Sequence, residues 1–368
     1  MIYLDYSATT PVDERLLGYF NQASRDFFAN PNSKHRLGKE VSLAIEESTN
    51  LLKSILGLKV EEIIYTSGST EANNLAIKGY AYKNKELGKH LITSPYEHSS
   101  VVACFNALEK KGFEVDVLPS HSNGRISLKD LEKLVREDTI LVSIGALNSE
   151  VGICQDIDSI GAFLKKYPNV AFHVDATQAI GKIRLNFENV DMFSFAAHKF
   201  YGLKGIGALV KKPNILLEAQ MSGGTSTTNY RAGTPATSLI LSLSKSLEFA
   251  YENLDQKVDH VLQLKNYLVG ELSHFENVVI NSNKYSIPHI FNLSILNHDS
   301  SEMQEILNRN DIFVSTQSAC MANPGYSQVL YRITNDEQRA RTGFRVSISY
   351  KTTLEEINDF IDCLKREV

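Results

Sequence analysis

Short apolar runs alternate with stretches of helical periodicity through the middle of the chain. Residues 62–66 read as a strand, and a helix follows from about residue 70. Residues 90–93 are the next strand, followed by a helix over 99–111. Further strands are expected at 115–118, 140–146, 170–174, 192–195 and 208–210. Strands separated by helical stretches predict an α/β fold, with a mostly parallel seven-stranded sheet sandwiched by helices. Such sheets bind ligands outside the carboxyl ends of their strands, so the loops after these strands are where chemistry is expected.

The pattern then changes. Helices over 237–253 and 255–275 lead into short strands at 290–294, 312–315 and 345–348. These alternate with helices over 300–309, 326–332 and 354–365. The expected division is a large domain over 13–253 and a smaller α+β domain made of 1–12 and 254–368. The first dozen residues are extended and contain Pro11, and the pattern does not say what they pair with.

Composition narrows the class. The 368 residues are 43% apolar and 22% charged, as in ordinary globular proteins. A net charge of −5 gives no nucleic-acid footprint, and no run approaches the 18 or so apolar residues of a membrane span. The opening Met-Ile-Tyr-Leu-Asp-Tyr has neither a basic nor an apolar leader region, so a cytoplasmic protein is expected. Of the four cysteines, Cys104, Cys154, Cys320 and Cys363, none stand at C-x-x-C spacing, and no metal site is expected.

Four places carry candidate chemistry. Lys199 follows the strand at 192–195 and precedes a glycine-rich stretch, where a lysine amine can attach an aldehyde covalently. Asp175 stands 24 positions earlier, at the end of the strand over 170–174. A carboxylate there suits the pyridinium nitrogen of pyridoxal phosphate, and it equally suits a helix cap. Thr66-Ser67-Gly68-Ser69-Thr70-Glu71 runs from strand through turn to helix. Its N–H groups, with the Ser69 and Thr70 hydroxyls, can bind a phosphate or simply cap the helix. His98, after the strand at 90–93, is placed to stack on a flat ring.

These motifs, with Tyr3-Leu4-Asp5-Tyr6-Ser7-Ala8-Thr9-Thr10, Ala29-Asn30-Pro31-Asn32-Ser33-Lys34-His35, His173-Val174-Asp175-Ala176-Thr177-Gln178 and His198-Lys199, resemble the NifS/IscS-type cysteine desulfurases. That family belongs to the class V aminotransferases and implies PLP fold-type I, the aspartate aminotransferase-like architecture. It also implies that pyridoxal 5'-phosphate is held by Lys199, with Asp175 at its ring nitrogen and Gln178 and Ser149 near its ring hydroxyl. His98 would stack on the ring. Ser69, Thr70 and His198 would contact the phosphate, and Thr234 would do so from the other subunit of a homodimer. Arg345 and Asn148 would bind L-cysteine. Cys320, among the small and turn-forming residues of Ser318-Ala319-Cys320-Met321-Ala322-Asn323-Pro324-Gly325, would take the sulfur as a persulfide and pass it to an acceptor protein. Catalysis would thus rest on Cys320, Lys199 and His98.

The chain departs from the family pattern at several points. Ala196 stands where serine is usual, Ser149 replaces the second Asn of Asn-Asn-Glu, and Ala146 replaces a histidine. Thr225-Ser226-Thr227-Thr228-Asn229 replaces a third glycine and the charged residues after it, and Gln317 replaces a glycine. A lost neutral hydrogen bond is worth about 0.5–1.5 kcal/mol, so a divergent member with weakened cofactor contacts is expected. The alternative readings are a selenocysteine lyase, another fold-type I reaction such as transamination, and a cofactor-binding protein with a non-catalytic assembly role. Iron–sulfur assembly, tRNA thiolation and DNA sulfur modification are all open as destinations of the sulfur.

Overall fold

The computed structural model describes residues 1–316 and 325–368, so Gln317 and Cys320 lie outside the described residues. Its strands are β1 (Ile2–Tyr3), β2 (Glu62–Thr66), β3 (His90–Thr93), β4 (Glu114–Val117), β5 (Thr139–Ser143), β6 (Ala171–Asp175), β7 (Met192–Ala196), β8 (Gly207–Lys211), β9 (Val278–Ile280), β10 (Ile290–Ile295), β11 (Ile312–Phe313) and β12 (Gly343–Ser347). Strands β2 to β8 form one seven-stranded sheet in the order β2-β8-β7-β6-β5-β3-β4. Only β8 runs against its neighbours, so the sheet is mostly parallel as the periodicity predicts.

Alternation along the strands feeds two apolar layers. Val142, Phe172, Phe193 and Phe195 enter one layer, and Leu141, Ala171, Met192 and Leu209 enter the other. A sheet buried on both faces needs helices on both, and these strands are wholly buried. Two long helices have no counterpart in the predicted pattern, Glu14–Asp26 and Arg36–Leu56. Each is capped by its own sequence: the Asp13 side chain accepts from the Arg15 N–H, and His35 accepts from the Gly38 N–H. Both pack on the helix Thr237–Tyr251.

The sheet has a switch point. From β3 the chain moves outward to β4, whereas from β5 it moves the other way to β6 and β7. The carboxyl ends of β3, β5 and β6 therefore open onto a crevice, the usual place for a ligand in this architecture.

The remaining strands make a three-stranded antiparallel sheet, β12-β10-β9, and a parallel pair, β1-β11. The N-terminal segment thus finds its partner some 310 residues away, in the register Ile2 to Ile312. Leu4 is fully buried in the apolar cluster that Phe291, Leu293, Phe344 and Phe360 also form. The strand expected over 312–315 is only two residues long, and Ser315 instead bridges to Arg345.

Candidate active site

Parallel β6 and β7 are neighbours, so their carboxyl ends deliver Asp175 and the turn Ala197–Lys199 to the same edge of the sheet. The Asp175 carboxylate accepts from Asn73 Nδ2 at 2.8 Å and from the Thr177 N–H at 3.0 Å. Lys199 Nζ donates to the Ser7 and Ala8 carbonyls, each at 2.7 Å. The extended N-terminal segment therefore lies along the lysine. It is pinned there because the Thr10 N–H and hydroxyl donate to the His198 carbonyl at 2.9 and 3.0 Å. Two residues past the lysine, Tyr201 adopts a left-handed backbone (φ 66°), and its N–H donates to the Thr10 hydroxyl at 2.7 Å. A tyrosine in that region is strained, and such strain is held only where the surroundings fix it.

The opposite wall comes from the loops after β3 and β5. The Glu97 carboxylate takes the Gly145 N–H at 2.8 and 3.0 Å and the Ser94 hydroxyl, joining these two loops. Burial pushes the Glu97 carboxyl up to about 8, against the opposing hydrogen bonds from Ser94 and Gly145. His98 caps the helix Ser99–Glu109, its Nδ1 accepting the Ser100 N–H at 3.2 Å. A ring nitrogen that accepts an N–H carries no proton, so the neutral ring keeps its proton on Nε2. Desolvation lowers His98 below the ordinary histidine value, with Asp175 opposing and Lys199 adding. The Ser100 hydroxyl also accepts from Asn73 at 2.9 Å, so a chain of hydrogen bonds runs from His98 through Ser100 and Asn73 to Asp175. The His198 ring, held by the Thr9 hydroxyl at 3.1 Å, is pushed down to about 4 by burial and by Lys199, Lys204 and Lys182.

Ser69, Thr70, His98, Asn148, Ser149, Asp175, Gln178, His198 and Lys199 line one cavity of about 270 Å³. The structure thus gathers nine residues that the sequence singles out. Two others stand elsewhere. Arg345, on β12, is buried, with Nη2 2.7 Å from the Asp5 carboxylate and Nη1 donating to the Ser149 carbonyl at 2.9 Å. Thr234 is exposed and does not line the cavity. Sequence reasoning gave no role to Glu97, Asn73, Thr177 or the Ser7 and Ala8 carbonyls. Asn73 carried a readable signal, as a polar residue three positions after Thr70 on a helix face otherwise filled by Ala72, Leu75, Ala76 and Ile77. Backbone carbonyls leave no trace in sequence.

The cavity suits a flat, anionic cofactor. The helix Ser69–Lys83 begins at Gly68 with no side chain capping it, which leaves its N-terminal donors for a phosphate. The buried Thr177 hydroxyl and Asn73 Oδ1 have no hydrogen-bond partner within the described protein. The carboxylate of Asp175, the amine of Lys199 and a histidine ring face the same space. These groups fit pyridoxal phosphate.

The model of the family described as aminotransferase class-V matches residues 2–360. A cysteine desulfurase IscS from Pectobacterium carotovorum is 40% identical over all of this chain and 92% of its own length. A solved NifS-like protein is 34% identical, covers 99% of this chain and 98% of its own, and superposes with a TM-score of 0.93. A protein named SspA, solved in complex with cysteine, is 31% identical over 96% of this chain and all of its own, with a TM-score of 0.84.

Proposed function

The chain belongs to the class V aminotransferases and, within them, to the cysteine desulfurases, and from that premise we propose how its own residues convert L-cysteine to L-alanine with pyridoxal phosphate as cofactor. The observation that carries the reading is the convergence of Lys199, Asp175 and His98 on one cavity beside an uncapped helix N-terminus. When bound, the cofactor supplies an electron sink for the charge left when the substrate's Cα–H bond breaks.

Lys199 is the residue that attaches the cofactor and then moves the substrate's α-proton. Its amine is kept at the cavity edge by the two N-terminal carbonyls. Asp175 holds a proton at the ring nitrogen, and the two N–H donors on its carboxylate keep it oriented. His98 covers one ring face, and the chain through Ser100 and Asn73 fixes its tilt relative to Asp175. Ser69, Thr70 and His198 take the phosphate, the last as a neutral ring. Gln178 and Ser149 stand at the ring hydroxyl, where Ser149 offers a shorter reach than asparagine.

Arg345 is the carboxylate receptor for the substrate, together with Asn148. The unpartnered Nε of Arg345 supports this, and the Asp5 pair keeps the guanidinium in place until the substrate arrives. Cys320 is the sulfur acceptor. Its thiolate bonds to the substrate sulfur as the Cβ–S bond breaks, the electron pair stays with Cβ, and a proton completes the alanine methyl group. The product on the protein is a Cys320 persulfide, whose outer sulfur either passes to a thiol of an acceptor protein or is released as sulfide by a thiol reductant that ends as a disulfide. Thr234, exposed on its own chain, supports a homodimer in which it reaches the partner's phosphate. The assignment of residues 1–12 to the C-terminal unit is supported by the pairing of β1 with β11 and by Leu4 in that unit's core. Among the described residues no helix is long and apolar enough to cross a membrane.

Sulfide release from L-cysteine under reducing conditions tests the reading. Wild type is expected to turn over. Lys199→Ala should abolish alanine formation, and Cys320→Ala should stop sulfide release while leaving the cofactor bound. Full activity in Cys320→Ala would overturn the assignment of the acceptor.

A further inference from the structure

A second lysine lies beneath the cavity. Lys182 is buried, and its Nζ donates to the Gln178 carbonyl at 3.0 Å and to Gln178 Oε1 at 3.2 Å. The charged groups that bear on it are Lys199 and Arg345, with no carboxylate of the described residues among them. Burial and these two cations bring its amine down to about 7. The cation in turn helps hold nearby His289, buried and unpartnered at Nδ1, in the neutral form. A methionine would fill the same space without the cost of a buried ammonium, so packing alone does not account for the amine.

The two ends of the Gln178 carboxamide differ chemically but hardly in shape, so hydrogen-bond partners decide which way it points. Here both partners agree. The Ser7 carbonyl only accepts, so the Nε2 end faces it, at 2.9 Å. In its ammonium form, held below about pH 7, Lys182 only donates, so the Oε1 end faces it. The same Ser7 carbonyl takes Lys199 Nζ at 2.7 Å. Lys182, Gln178, Ser7 and Lys199 therefore form one continuous row from below the cavity to its reactive edge.

Building on the cofactor reading above, we propose that Lys182 is a positioning residue that locks the Gln178 carboxamide with its N–H groups toward the cavity. Gln178 lines that cavity with one N–H directed at Ser7 and the other left for a ligand. A locked donor selects an anionic oxygen on the ligand ring. A flipped amide would present a carbonyl there and repel it. Lys182 touches neither ligand nor reacting atom and acts through Gln178.

The test is a double-mutant cycle on the full-length apoprotein, titrated with pyridoxal 5'-phosphate and read by absorbance rather than turnover. Lys182→Met and Gln178→Leu are each expected to weaken binding roughly tenfold, the size of one well-placed hydrogen bond. Their combination should bind no worse than Gln178→Leu alone. Losses that multiply, or a Lys182→Met protein that binds as wild type does, would overturn the proposal. Amide NMR of the wild-type protein gives a second test that survives a variant that does not fold. The Gln178 side-chain NH₂ pair, identified through its proximity to Ser7, should be slow to exchange with solvent and shifted from the positions of a free glutamine. A pair that exchanges as fast as that of a free glutamine contradicts the lock. Wild type that takes up no cofactor at all would sink the cofactor reading instead, and the NMR result would still decide the amide lock.

Discussion

Lys211 and Lys182 are both buried, one at the edge of the large sheet and one under its cavity, and their surroundings are opposite. Lys211 ends β8 directly across from Glu62 on β2, with Nζ 2.8 Å from the carboxylate and 4.9 Å from the centre of the Tyr230 ring. Its charge is matched by a carboxylate and a π face, as a structural buried cation requires. Lys182 has amide oxygens only, and cations for neighbours. A protein that meets the charge requirement at its sheet edge leaves it unmet beneath its cavity. The contrast teaches that uncompensated charge here marks the floor of the site, where groups are held for function rather than stability.

The contrast can be broken first at Lys182. Between about pH 7 and 10.5 the unfolded chain keeps a proton that the folded chain has lost, so stability rises with pH across that window and the cost is complete below pH 7. Lys182→Met is expected to stabilise the protein by roughly 2–4 kcal/mol at pH 6, after allowing for the Gln178 oxygens left without a donor. The gain should shrink with rising pH and turn into a loss above pH 10. Thermal melts across that range check it, and a loss at pH 6 would count against an uncompensated charge.

Glu97 is the acidic counterpart on the opposite wall. Its carboxyl is raised from 4.5 to about 8, so the folded chain holds the extra proton and stability falls as pH rises through that interval. Glu97→Gln should therefore be more favourable at pH 9 than at pH 5 by roughly 2–3 kcal/mol, read by denaturant unfolding at the two pH values. At the sheet edge the sign reverses. Lys211→Met leaves half-exposed Glu62 without its partner and is expected to destabilise by about 1–2 kcal/mol at pH 6. If Lys211→Met instead stabilised as Lys182→Met should, the two regions would not differ as argued. The smallest effect is expected at the cavity rim. Ser149→Asn should tighten cofactor retention by up to about tenfold, one added hydrogen bond, measured by dialysis against a competing amine.

Much of this was legible in the sequence, for reasons that particular residues show. The sheet strands are largely apolar on both faces, so β6, β7 and β8 announce themselves as short, mostly apolar runs. Asp175 stands out because a carboxylate at the end of such a run has no packing role, and Lys199 because it follows the next one. Arg345 was legible as a residue type but not in its setting, since its bond to Asp5 joins positions 340 apart. The helices Glu14–Asp26 and Arg36–Leu56 escaped because many of their positions are exposed and polar, and their apolar rows make sense only against the helix Thr237–Tyr251. Lys182 escaped because one lysine four residues past a glutamine looks like any other; burial makes it unusual, and burial is a property of the fold.

Transfer of sulfur from L-cysteine to Cys320 is tested most directly by a single turnover without reductant, in which wild-type enzyme meets limiting L-cysteine and the Cys320 peptide is weighed by mass spectrometry while alanine is counted. One added sulfur on Cys320 is expected for each alanine formed, and no such peptide mass when Lys199→Ala is used. Alanine formed with the added sulfur on Cys104, Cys154 or Cys363, or on no cysteine, would contradict it.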